Sequence, residues 1–256
     1  MRKTRRKKSK GGKVGIIKRI MPINNNSHIL GAGSYGLVVE SFNPQHAVKL
    51  FYDVKACNDI KNEYKMQNDV RNILHQHVPD VHVPELVYFE NNETTYKSQK
   101  YLCGIVMERL TPPTGYNEIV HCALGYFGFD INTSWGRITS QPVDESNPTR
   151  GFFADANHLE DIWEAEESDM TIERLAYLMG KASRTLVDHG IMPIDVEYVW
   201  SKGRLYMIDF GLCKYKHIDP QSYLEMGGQD GLLSDVYIPH AGDEGHESFL
   251  QGYQNS

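Results

Sequence analysis

Residues 31–50 read GAGSYGLVVESFNPQHAVKL, and the order of the parts within this stretch decides the fold. Gly31-Ala32-Gly33-Ser34-Tyr35-Gly36-Leu37-Val38 fits G-x-G-x-x-G-x-V. A glycine triplet by itself discriminates little, because dinucleotide-binding turns carry one too. Such a turn follows a strand and opens a helix. Here β-branched residues alternate on both sides of the glycines, HILGAG before and YGLVVESF after, so strand follows strand. A turn at Asn43-Pro44 leads into HAVKLFY, which reads as a third strand. Glycines between two strands let backbone amides approach an anionic oxygen with no β-carbon in the way. Alternatively, they serve only the turn.

Working outward, Ala47-Val48-Lys49 sets a lysine on the third strand. Residues 55–77 read as a helix, with Ile60, Tyr64, Val70, Ile73 and Leu74 along one side. Glu63 lies inside it and is best placed to hold the lysine; Asp59, one turn earlier, is the alternative. Without such a partner, Lys49 would serve only to solubilise a strand edge. ELVYFE and YLCGIVMERL then read as two strands flanking a polar turn at Asn91-Asn92, with Met107-Glu108 closing the second. Prolines at 112, 113, 142 and 148 mark a long connection, with one short helix near NEIVHCALGYF. Residues 158–167 and Thr171 to Val187 read as helices, the latter capped by Asp169 or Thr171. EYVW and RLYMIDF form a hairpin turning at Ser201-Lys202-Gly203, and Asp209-Phe210-Gly211 ends its second strand. A carboxylate at a strand end is well set to face a metal. A helix between strand pairs makes the class α+β.

The composition is that of a soluble globular chain: 256 residues, 40% hydrophobic and 23% charged. No run approaches the roughly 20 apolar residues that a membrane helix needs. The net charge of −6 conceals an asymmetry. Residues 1–13 hold eight Lys or Arg and no acid, so the remainder carries −14. That leader is expected to be disordered, and to bind nucleic acid, an anionic surface or an import receptor, or simply to solubilise. The acidic remainder argues against nucleic acid as the ligand of the folded part. Cys57, Cys103, Cys122 and Cys213 are scattered without C-x-x-C spacing, which predicts neither a zinc site nor a disulfide and points to a reducing, intracellular compartment. Among eleven histidines no pair has a convincing ligand partner.

Glycine loop, lysine strand, acidic helix, strand end, helix, hairpin and Asp-Phe-Gly in this order resemble the protein-kinase-like superfamily over roughly residues 28–215. The resemblance implies a two-lobed α+β fold, with a basic tail and lead-in at 1–27, an N-terminal lobe at 28–110 and a reduced C-terminal lobe at 111–256. It also implies ATP and magnesium as cofactors. Gly31, Gly33 and Gly36 would cover the phosphates, Lys49 held by Glu63 would pair with them, and Met107-Glu108 would meet the adenine. Asp209 would hold the metal.

Two departures stand out. The catalytic loop of that superfamily reads H-R-D-x-x-x-x-N, but counting from His189 the base position falls on Ile191 and the asparagine position on Val196 or Glu197. Asp195 and Glu197 are the nearby carboxylates. In an extended DVEYV they point the same way, Glu197 as a second magnesium ligand and Asp195 as base. Alternatively, both are solvated loop acids. Second, 47 residues follow Asp209 with no A-P-E motif, which argues against a peptide-binding platform of the usual kind.

Arg150-Gly151-Phe152-Phe153, Asp195 to Val199, Asp209-Phe210 and Asp235 to Pro239 are also similar to a fungal kinase-like domain family of unknown function with a D-V-E-F-V motif. The leader is similar to those on some large DNA virus proteins, which would place the chain in a virion or host cell. Three activities follow as expectations: a phosphotransferase with an atypical loop, a pseudokinase acting as a nucleotide-responsive scaffold, and a small-molecule kinase. The last also needs an aspartate where Ile191 stands.

Overall fold

A computed structural model of the chain describes residues 21–33, 36–52, 54–111, 163–164, 168–194, 196–228 and 244–255. The basic leader, the helix expected near 117–127, the Arg150 to Phe153 stretch, Asp195 and the Asp235 to Pro239 stretch lie outside them.

Five antiparallel strands form the first sheet, in the order β1-β2-β3-β8-β5. These are β1 (Ile29–Gly33), β2 (Gly36–Glu40), β3 (His46–Phe51), β5 (Leu86–Glu90) and β8 (Cys103–Glu108). Alternation sorts their side chains. Val48 and Leu50 of β3 and Val106 of β8 face one way, into a cluster closed by Met21, Ile23, Tyr96 and Tyr101. Phe51, Cys103 and Ile105 face the other way, towards α1 (Val54–His77). Lys49 shares the parity of Phe51 and pairs with Ile105, so the lysine also lies on the α1 side.

Helix α1 carries two apolar stripes. Cys57, Ile60 and Tyr64 pack on the sheet, while Met66, Val70 and Leu74, four residues apart, enter a second core. One helix therefore joins both cores. The second core is built on α2 (Ile172–Asp188) and α4 (Glu244–Gln254), with α3 (Pro220–Gly228) beside them. A β-carbon at Gly180 would run into the Phe249 carbonyl, and one at Gly252 into the Tyr177 carbonyl, so α2 and α4 touch backbone to backbone. Thr171 caps α2 by accepting from the Arg174 N–H at 3.2 Å. The helix ends at His189, and Gly190, with φ 74°, turns the chain away.

The hairpin of β10 (Glu197–Ser201) and β11 (Arg204–Ile208) turns on Lys202 and Gly203, both at positive φ, as a two-residue connection requires. Strand β4 (Val81–His82) adds to β11 in parallel, and β9 (Ile191–Met192) pairs with β12 (Lys214–Tyr215). Between β5 and β8 the expected turn at Asn91-Asn92 is instead a longer excursion through a second hairpin. Its strands are β6 (Thr94–Tyr96) and β7 (Gln99–Tyr101), and Tyr96 and Tyr101 fold back over the sheet.

One further expectation is corrected. Cys57 and Cys103 form a disulfide, joining α1 to β8. They are 46 residues apart with no motif around them, and only the packing of the helix on the sheet makes them neighbours. Scattered spacing is therefore no argument against a disulfide here, nor for a reducing compartment. Cys213 is free.

Candidate functional site

Lys49 lies where the two cores meet. Its Nζ donates to Glu63 Oε1 at 2.8 Å and to Asp209 Oδ1 at 3.2 Å. The lysine and Glu63 are largely shielded, with side chains 21% and 13% exposed, while Asp209 at 47% opens to solvent. Burial works to lower the Lys49 pKa, but Asp209 and Glu63 outweigh it and hold the ammonium well above the usual lysine value. Lys49 is thus held as a cation shared by two acids. Its charge is fixed, and one acid remains open to a ligand.

Local structure explains each position. Glu63 lies three residues before Met66, on the helix row that Met66, Val70 and Leu74 continue into the second core. Asp209 leaves β11 with φ 60°, a left-handed conformation that aspartate tolerates better than most residues. The next residue, Phe210, is buried in the second core and anchors the turn. A β-carbon on Gly211 would sit 3.6 Å from Asp209 Oδ1 and 3.7 Å from Glu63 Oε2, so this turn closes one side of the cluster.

The glycine hairpin has Gly33 opposite Gly36 and Gly31 opposite Val38. Gly36 has a reason of its own to be glycine, because a β-carbon there would strike the Leu50 carbonyl of β3. Met107 stands between Ala47 and Leu86 in the sheet. Glu108 is engaged three times: its N–H donates to the Glu85 carbonyl at 2.7 Å, and its carboxylate accepts from the Glu85 N–H and the Tyr206 hydroxyl, each at 3.2 Å. The Arg109 N–H is also taken, by the Gln45 carbonyl at 2.8 Å. An adenine ring at this strand end would need other backbone groups.

Ile191 packs in the second core at 2% exposure, and Met192 and Ile194 are buried with it. No proton acceptor stands at 191, and the run 191–194 as a whole serves packing. Asp195 lies outside the described residues. Glu197 is placed by its backbone only, opposite Ile208 and so beside the residue preceding Asp209. Among the described residues no group of three His, Cys, Asp or Glu is arranged to hold a metal ion.

Two features escaped the motif reading. The Ser201 hydroxyl donates to the Thr111 carbonyl and accepts from the Thr111 N–H, both at 2.9 Å, pinning the chain after β8 to the hairpin turn. The Tyr215 hydroxyl meets Lys65 and Asp69 of α1. The Lys65–Asp69 pair is legible as an i,i+4 spacing. Its tyrosine partner, far along the chain, is not.

Sheet order, the helix laid across it, the hairpin ending in Asp-Phe-Gly and the shared Lys49 give an α+β arrangement of the kind that the sequence resemblance implies. Solved structures similar to it include a kinase domain at 15% identity and TM-score 0.38, covering 78% of this chain and 54% of that one. Vaccinia related kinase 3 is similar at 8% identity and TM-score 0.40, again with 78% and 54% covered. The streptomycin–ATP–APH(2″)-IIa ternary complex is similar at 19% identity and TM-score 0.36, with 90% and 78% covered. The chain spans about half the length of the first two. No protein-family model and no curated protein matches the sequence. Among the described residues no helix is long and apolar enough to cross a membrane.

Proposed function

We propose that this chain is a phosphotransferase that binds ATP with magnesium and uses an atypical catalytic loop. The observation that carries the proposal is the Lys49 ammonium held between Glu63 and Asp209 at 2.8 and 3.2 Å. A lysine so held cannot swing into solvent, and its charge suits the α- and β-phosphates of a nucleotide. Gly31 and Gly33 leave backbone amides of the hairpin unobstructed by a β-carbon, while Gly36 lets β2 lie close to β3. Glu63 orients the lysine, and Asp209 would hold the metal.

Magnesium fits this donor set. It keeps several waters and takes one or two carboxylates plus phosphate oxygens, so it needs no enclosed protein cage. Asp209 is an exposed carboxylate of that kind, and Glu197 is the candidate for the second. Bound magnesium would neutralise phosphate charge. The protein's share is to hold the carboxylates and Lys49 in place and to accept the proton of the incoming hydroxyl. Asp195 is the candidate base, because it is the first acid beyond the buried run that ends at Ile194. Positioning and charge account for most of phosphoryl transfer, so a displaced base is compatible with turnover.

The test is a thermal-shift titration of the whole chain with Mg-ATP, paired with transfer of labelled γ-phosphate. Stabilisation and transfer are expected, with Lys49→Ala and Asp209→Ala losing both. Stabilisation without transfer above the Lys49→Ala control would instead make the chain a nucleotide-responsive scaffold. No stabilisation overturns the proposal.

A further inference from the structure

We propose that Tyr215 is a positioning residue of the candidate site, a latch that ties the helix carrying Glu63 to the strand that follows Asp209. The inference rests on the functional reading above for its consequence, though not for its geometry.

Lys65 and Asp69 lie one turn apart on the exposed side of α1 and pair at 2.8 Å. Exposed pairs of this spacing contribute little by themselves. The third member makes this one different. The Tyr215 hydroxyl donates to Asp69 Oδ2 at 2.7 Å and accepts from Lys65 Nζ at 3.0 Å, while the ammonium also sits 4.2 Å from the centroid of the tyrosine ring. One hydroxyl is therefore used in both senses, across sequence separations of 146 and 150 residues. Three groups fix one another's geometry, as no isolated surface pair does.

What the latch joins gives it its meaning. Lys65 is two residues from Glu63 on α1. Tyr215 lies four residues beyond Gly211, on β12, whose backbone is paired with Ile191 and Met192. The Lys216 N–H donates to the Gly190 carbonyl at 2.9 Å, extending that pairing. The path from Glu63 through Lys49 to Asp209 is thus closed into a ring by Tyr215 returning to α1. The same strand borders the run leading to Asp195. If α1 shifts outward, Glu63 leaves Lys49. The latch opposes that shift from the solvent side, where neither apolar stripe of α1 acts.

Tyr215→Phe keeps the ring and its contact with Lys65 but removes the hydroxyl. In the full chain, amide exchange along α1 should quicken and Mg-ATP affinity should fall about three- to tenfold, the scale of one ordinary hydrogen bond. The urea midpoint should stay near that of the parent chain. Asp69→Ala should match it, Asp69→Asn, which keeps an acceptor oxygen, should be milder, and the Tyr215→Phe/Asp69→Ala double variant should be no worse than either single. Unchanged α1 exchange in Tyr215→Phe, or additive effects in the double variant, would overturn the latch. If the parent chain fails to bind Mg-ATP, the functional reading falls, and α1 exchange alone still decides the latch.

Discussion

Lys49 and Asp209 stand 160 residues apart in sequence and 3.2 Å apart in space. The contact joins the five-stranded sheet to the hairpin of the second core. Glu63 on α1 completes it from a third element. A cation shared by two carboxylates from separate elements is a device for alignment as much as for stability, because displacing any one element costs an ionic hydrogen bond.

The first prediction concerns that sharing. Lys49→Met keeps much of the side-chain volume but removes the charge, leaving Glu63 shielded without its partner. A loss of about 1–3 kcal/mol is expected from urea unfolding. Adding Glu63→Gln removes the stranded charge, so the double variant should be no less stable than Lys49→Met alone. A Lys49→Met chain as stable as the parent would show that the pair does not hold the elements together.

Much of this arrangement is legible in the sequence because its signals are local. Alternation around the glycines marks β1, β2 and β3, and Thr171, one of two cap candidates, marks the start of α2 through capping chemistry. Lys202-Gly203 marks the hairpin. The misses have a different physics. Strands β6 and β7 are three residues each, too short for a period to show, and their turn uses Lys97 and Ser98 at positive φ instead of glycine. The disulfide and the Tyr215 contact depend on which elements pack together, which no local pattern encodes. Ile191 was legible as an absent base, but its role as core was not, because a two-residue strand leaves no pattern.

Reducing the Cys57–Cys103 disulfide should destabilise the chain. The bridge closes a 46-residue loop, and such loops stabilise by about 2–4 kcal/mol, chiefly by restricting the unfolded chain. Mass analysis of the protein, alkylated before and after reduction, should find Cys57 and Cys103 modified only after reduction. The reduced protein should melt at a lower temperature. Modification of both cysteines in the unreduced native protein would contradict the pairing.

Gly36→Ala should destabilise the protein whether or not nucleotide is present. The added methyl would meet the Leu50 carbonyl, a backbone atom that cannot move without spreading β2 from β3. A cost of about 1–3 kcal/mol is expected from urea unfolding of the nucleotide-free chain. Any loss of nucleotide binding in this variant would then reflect the sheet, not a missing contact to phosphate. A Gly36→Ala chain with parental stability and weakened Mg-ATP binding would reverse that assignment.

His82 should give the fold a pH dependence on the acid side. Burial lowers its pKa from the ordinary 6.5, Arg204 adds to the shift, and Glu108 and Asp80 oppose it. Because the folded state holds this proton less tightly than the unfolded state, the unfolded chain binds more protons as pH falls below about 6.5. Stability is therefore complete above that value and declines as pH drops towards the lowered folded pKa. The ring packs 5.5 Å from that of Tyr206, so protonation also places a second cation near Arg204, in the crevice between α1 and β11. Urea midpoints measured from pH 7.5 down to about 5 should fall, and His82→Gln, which cannot titrate, should flatten that decline. Equal slopes in the two chains would mean that His82 contributes nothing to it.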